Sequence, residues 1–231
     1  MWRIAILATL VAIGLASRSD AEQALRVITV VGEGRVEAVP DMAVVTLGVT
    51  YEARAADEAM EQASASVAKM MDRFTTLGIA ARDVQTSRFS LDPVWVNRNS
   101  STGERPEISG FTASNAVTVR VRDMASLGGI LDAAIADGAN NFNGLQFTLQ
   151  DPKPLQDEAR RRATADAMDR AAQLAKAAGV TLGPVQSVSE MGGGAQPVRM
   201  EMAAMRDGGA PIAAGEVSLS ASVSMVFEIL D

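Results

Sequence analysis

Any chemistry in this chain has to proceed without cysteine or histidine, since neither occurs among its 231 residues. That removes Ser-His-Asp and Cys-His nucleophilic catalysis, thiol redox work and zinc sites built on imidazole or thiolate. Carboxylate, lysine, arginine, hydroxyl and thioether groups remain, with Tyr51 the single phenol. The most suggestive spacing is Met200-x-Met202-x-x-Met205, with Met191 a short way before it. Thioethers are soft ligands that select copper(I), and a flexible segment could wrap such a set around one ion. The plainer reading is an adaptable apolar loop or an oxidation sink.

Three further groupings are weaker. Arg160-Arg161-Arg162 could grip a phosphate or carboxylate, but successive helical residues point about 100° apart, so the three do not converge. Asp157, Glu158 and Asp166 stand within one helical turn of them, which favours a solvated charge ladder over an anion site. Gly32-Glu33-Gly34 lacks the third glycine and the following helix of a dinucleotide fingerprint, and a strand follows instead. It reads as a bulge or turn. Asp41, Asp92 and Asp123 sit at strand edges or turns, where turn and cap roles account for them. No constellation qualifies as catalytic, and none calls for a cofactor.

The elements that position these residues centre on a helix at 155–178. Ala159, Ala163, Ala167, Ala171 and Ala175 recur every fourth residue and form a small-residue stripe that lets a helix lie close to a sheet. Glu158, Arg162, Asp166 and Arg170 form an alternating ladder suited to water. Upstream, 26–53 reads as two strands, with Ala43, Val45, Leu47, Val49 and Tyr51 alternating toward a core. A helix at 55–77 ends at Gly78. Strands at 84–96 and 110–121 flank a polar hairpin tip at 97–109. A short helix at 124–136 and a strand at 143–149 follow, with Asp151 placed to cap the long helix. Beyond that helix come a strand at 185–190, a flexible loop at 191–215 and a final alternating strand at 217–230.

The two long helices are followed by matching segments. Leu77-Gly78-Ile79 precedes Val84-Gln85-Thr86, and Ala178-Gly179-Val180 precedes Val185-Gln186-Ser187, with equal spacing. The chain therefore reads as α+β, with two pseudo-repeated β-α-β-β halves at about 26–122 and 123–231 and helices packed on antiparallel-rich sheet.

Arg3, the apolar run 4–16 and the small residues Ser19 and Ala21 predict a cleavable export signal at 1–21. The run is shorter than the roughly 20 residues a membrane span needs. A net charge of −7 disfavours nucleic acid as a partner. Two long helices with charged faces and too few regular strands argue against a membrane barrel.

The stretches VVGEGRVEAVPDMAVVTLGV, GFTASNAVTVRV, ILDAAIADGANNFNGLQFTL, EARRRATADAMDRAAQLAKAAGV and LGPVQSVSE, in this order, resemble the SIMPL-domain family, which includes exported periplasmic immunogenic antigens. The resemblance implies an α+β protein of the cell envelope that assembles into homo-oligomers and contributes to oxidative-stress tolerance; with a membrane barrel argued against, any contact with the outer membrane is expected to be peripheral. It supplies no catalytic residues. Phe111 stands where tyrosine is expected in many members, which removes a phenol from that position. The expectation is a non-enzymatic, exported homo-oligomer. Copper or oxidant buffering through residues 191–205, with Met200, Met202 and Met205 as metal ligands, is the alternative.

Overall fold

The computed structural model describes residues 26–96, 105–191 and 213–230. The expected signal at 1–21, the hairpin tip at 97–104 and the segment 192–212 lie outside them. Seven strands and three helices follow in the order β1 (Val27–Ala38), β2 (Met42–Ala53), α1 (Ala56–Thr76), β3 (Val84–Val96), β4 (Glu107–Val121), α2 (Leu127–Ala136), β5 (Asn141–Thr148), α3 (Lys153–Ala178), β6 (Thr181–Met191) and β7 (Val217–Leu230). The α+β class holds.

Two antiparallel sheets form, one ordered β1-β7-β6 and the other β3-β4-β2-β5. Each carries one long helix. The alternating face of β2 and β4 (Val45, Leu47, Val49, Val117, Val119) meets the Ala59, Ala63, Val67, Met70 and Phe74 stripe of α1 in one core. Val30, Val36, Val223, Met225 and Phe227 meet the alanine stripe of α3 in a second. The two long helices close alike. The N–H of Ile79 donates to the Phe74 carbonyl and that of Val180 to the Ala175 carbonyl. Gly78 and Gly179 supply the left-handed residue between, at φ 85° and 69°. Both are Schellman closures, which use glycine because a Cβ is disfavoured at that φ.

The strand order cuts across the two halves expected from sequence. β5, which precedes α3 in sequence, pairs with β2 in the sheet of the first half. Its place beside β7 is taken by β1, from the chain's other end. Neither sheet is therefore built from one half alone.

Gly32 and Gly34 do not make the expected bulge or turn. β1 pairs with β7 without interruption from Val27↔Glu228 to Ala38↔Val217. The glycines are there because the backbone of α3 lies against them. A Cβ at Gly32 would strike the Ala163 carbonyl oxygen and the Ala167 nitrogen, and one at Gly34 the Ala159 carbonyl oxygen. Small residues on helix and strand together bring the two backbones into contact.

The charge ladder also departs from expectation. It does not simply face water; it clasps the free edge of β1. Arg170 Nη1 donates to the Val31 carbonyl at 2.7 Å, Asp166 Oδ2 accepts the Glu33 N–H at 2.8 Å, and Arg162 Nη1 donates to the Arg35 carbonyl at 2.8 Å. Four helical residues rise about 6 Å and two strand residues about 6.8 Å, so the two periods stay matched over three contacts. Cations meet carbonyls and the anion meets the N–H.

Because the stripe is fully buried against the sheet, Ala167→Leu or Ala171→Leu should each cost about 1–3 kcal/mol by overpacking. Thermal melts that match the parent would place the stripe outside the core.

Candidate functional site

The residues singled out from the sequence do not come together. Asp41 Oδ1 accepts the Gln150 N–H at 2.7 Å, tying the start of β2 to the end of β5. Asp123 Oδ1 caps a 3-10 turn through the Ala125 N–H at 3.1 Å. Asp92 stands exposed on the edge strand β3. Asp151, expected as a cap, accepts the Lys153 N–H at 3.1 Å. The arginine run is dispersed. Arg160 reaches Glu190 on β6 and Asp157, while Arg161 and Arg162 both hold Glu158. Asp157 pairs with Lys153 and Arg160 rather than Arg161, and Asp166 pairs with Arg170 rather than Arg162. Met200, Met202 and Met205 lie outside the described residues. Met191 ends β6, half exposed.

Sequence reasoning overlooked two buried carboxylates. Asp83, just before β3, takes Arg122 Nη2 at 2.7 Å and Nε at 2.8 Å, a fork-to-fork pair. Asp137, at the end of α2, takes Arg73 Nε at 2.9 Å and Lys69 Nζ at 3.1 Å from α1. The signal available was an aspartate directly following a helix, with cations on another helix. Hydrogen bonding from Arg122 holds the Asp83 carboxyl below its ordinary range, and bonds from Arg73 and then Lys69 do the same for Asp137. These are staples between elements: Asp83 ties the turn before β3 to the end of β4, and Asp137 ties α2 to α1.

The pairs set an acid limit. Their folded pKa values are depressed, so their contribution is complete above the unfolded carboxylate range near about 3.9 and disappears as pH falls through the folded values. Asp83→Asn and Asp137→Asn should each be less stable than the parent at pH 7 and lose less on acidification. Denaturant midpoints between pH 2 and 7 check this; parallel acid limbs would assign the acid sensitivity to other groups.

The concave feature is elsewhere. A cavity of about 600 Å³ opens between α2 and β5, walled by Leu47, Leu131, Ile135, Phe142 and Leu145. That size falls within the usual range of small-molecule pockets, about 300–1,000 Å³. α2 rests on α1 through Leu127, Ile130 and Ala134, which are buried, while no close packing joins it to β5. The helix is apolar almost all round, so lifting one side off the sheet leaves an apolar wall in solvent. Among the described residues, Asn115 Oδ1 is the one buried side-chain polar atom without a partner, on the inner face of β4 away from this cavity.

Among the described residues no group of three or more acidic side chains is placed to hold a metal ion, and no helix is long and apolar enough to cross a membrane. The fold is a two-sheet α+β protein with an apolar pocket between α2 and β5. Residues 28–227 match the family described as "SIMPL: Protein of unknown function (DUF541)", and the chain belongs to that family. It is 39% identical to the 26 kDa periplasmic immunogenic protein of Brucella melitensis over 210 residues, covering 87% of this chain and 84% of that protein. It is 30% identical to the uncharacterized protein YggE of Edwardsiella ictaluri, over 80% of this chain and 79% of that one. YggE of Escherichia coli K12 is 28% identical, over 83% and 76%.

Proposed function

We propose that the protein is a non-enzymatic, exported component of the periplasm that works as a homo-oligomer. The supporting observation is a pair of largely uncovered apolar sheet surfaces, one on the edge strand of each sheet. α1 packs mainly on β2 and β4, and α3 on β1 and β7, so the edge strands β3 and β6 keep much of their helix-side faces uncovered; Leu182 and Glu190 of β6 and Val84 of β3 are where the cores and helices reach them. On β3 those faces carry Phe89 and Leu91, opposite Asn115 and Ala113; on β6 they carry Val185 and Val188, opposite Phe227 and Met225. Phe89 is 60% and Val188 58% exposed. Contiguous apolar surface at two related edges suits burial against another copy. Localisation rests on the leader-like segment 1–21 and on relatives named as periplasmic.

Light scattering on the protein lacking residues 1–21 tests the assembly. A multimer that shifts toward monomer in Phe89→Asp/Val188→Asp supports it; a strict monomer at micromolar concentration rejects it. Contribution to oxidative-stress tolerance and peripheral contact with the outer membrane belong to the same proposal and rest on the family resemblance. Copper or oxidant buffering is a separate reading, motivated by Met191 leading half exposed from β6 into the methionine segment. Titration with copper(I) under reducing conditions decides it: no heat and no competitor displacement ends the idea.

A further inference from the structure

β5 carries a feature that pairing alone does not require. Thr46 pairs with Gly144 but Leu47 pairs with Phe142, so Asn143 is an extra residue. Gly144 makes the bulge possible at φ 140°. One inserted residue reverses which side chains face which way. Without it Asn143 would lie opposite Leu47 and Phe142 would face away from the helix layer. With it Phe142 joins Leu145 on the pocket side, where it remains 56% exposed.

The facing wall is similarly open. Ile135 on α2 is 67% exposed, and a Cβ at Gly128, which also lines the cavity, would meet no atom within 4 Å. No neighbour demands a glycine there, and its effect is to leave room. The polar groups at the rim have one sign. Both ends of the Asn140 amide are engaged by the Thr50 backbone, at 2.8 and 2.9 Å. The Asn141 amide nitrogen points to Thr50 Oγ1 at 3.4 Å. Asp132 has no cation partner among the described residues, and it lines the pocket at the exposed side of α2. An ionised carboxylate only accepts hydrogen bonds, and the protein as a whole carries −7.

We propose that the α2–β5 pocket binds an amphiphilic cation, a small molecule whose apolar body lies between Ile135 and Phe142 and whose ammonium group meets Asp132. The apolar walls provide the affinity, and the single free carboxylate at the rim selects the head group.

The test uses three probes that share one body, 4-phenylbutylamine, 4-phenylbutanol and 4-phenylbutyrate, titrated into the purified protein by calorimetry and ligand-observed NMR. The amine should bind saturably and more tightly than the other two. Asp132→Asn should weaken the amine about five-fold, the scale of an exposed ion pair, and leave the alcohol unchanged. Gly128→Leu, which grows into open space, should weaken amine and alcohol alike by about ten-fold or more at unchanged circular dichroism. Phe142→Ala, at an exposed position, serves if the Leu variant misfolds and should weaken both as well. Three results would overturn the proposal: no saturable binding of the amine, equal binding of the carboxylate, or indifference of both cavity variants. A fourth is a second copy as the occupant, seen as an assembly that Ile135→Ser dissociates and probe binding that occurs only after dissociation.

Discussion

Gly34→Ala is expected to lower stability by about 3 kcal/mol or more, at the upper end of what overpacking does in a core. The added methyl has no flexible side chain to push aside. It meets the Ala159 carbonyl oxygen and lies 2.5 Å from the Ala163 nitrogen, both helix backbone, and 2.9 Å from the Arg162 Cβ. Relief requires moving all of α3 away from β1. That motion also breaks the three contacts from Arg162, Asp166 and Arg170 to the strand edge. Gly32→Ala should behave alike, and the double variant should do little worse than either single one, because one displacement of the helix relieves both collisions. Urea midpoints of the two single variants and the double variant check this. A melt for Gly34→Ala within a degree of the parent would show that the helix does not lie on the glycines.

Asp166→Lys should produce the second large effect, in solubility more than in melting temperature. The carboxylate accepts the Glu33 N–H and pairs with Arg170 at 2.9 Å. A lysine there leaves that N–H unmatched and sets three cations in a row with Arg162 and Arg170. Loss of a charged hydrogen bond is worth about 1.5–3 kcal/mol. The larger consequence is that the edge of β1 opens, and an uncovered strand edge is a template for pairing with another chain. Scattering during slow heating should rise at a lower temperature than in the parent. Asp166→Asn keeps an oxygen acceptor for Glu33 and should fall between. Identical behaviour of the Lys and Asn variants would remove the edge-covering role.

What could be read from sequence follows the range of the physical cause. Ala159 through Ala175 and Val45 through Tyr51 announce themselves because period and burial are local properties, and they gave the helices, the strands and the α+β class. The glycines at 32 and 34 were misread because the reason for them is α3, more than a hundred residues away along the chain. The ladder was readable as alternating charge, but which partner each charge meets depended on a strand edge that only the assembled sheet creates. Asp83 and Asp137 carry no motif; their partners Arg122, Arg73 and Lys69 belong to other elements. The pocket was hidden for the same reason, since the inserted Asn143 can be recognised only once β2 fixes the register. A glycine interrupting the alternation of Phe142, Leu145 and Phe147 was the available hint.

The exchange of β1 and β5 between the sheets bears on how the chain reaches its fold. Among the described strands β1 comes first in sequence and β7 last, and β1 is paired with β7 along its whole length. Their pairing closes a loop that takes in nearly every other described element. Loop-closure entropy makes such distant pairings slow to form. The four-stranded sheet has no such delay, since β2, β3, β4 and β5 lie within one continuous span with α1 and α2. The expected order of assembly is the four-stranded layer first, then a closing step in which β1 and β7 meet under α3; an exchange experiment that protects β1 and β7 amides before those of β2 and β4 would reverse it. Until that step Val30 and Val36 have no cover, and the molecule is at its most vulnerable to wrong partners.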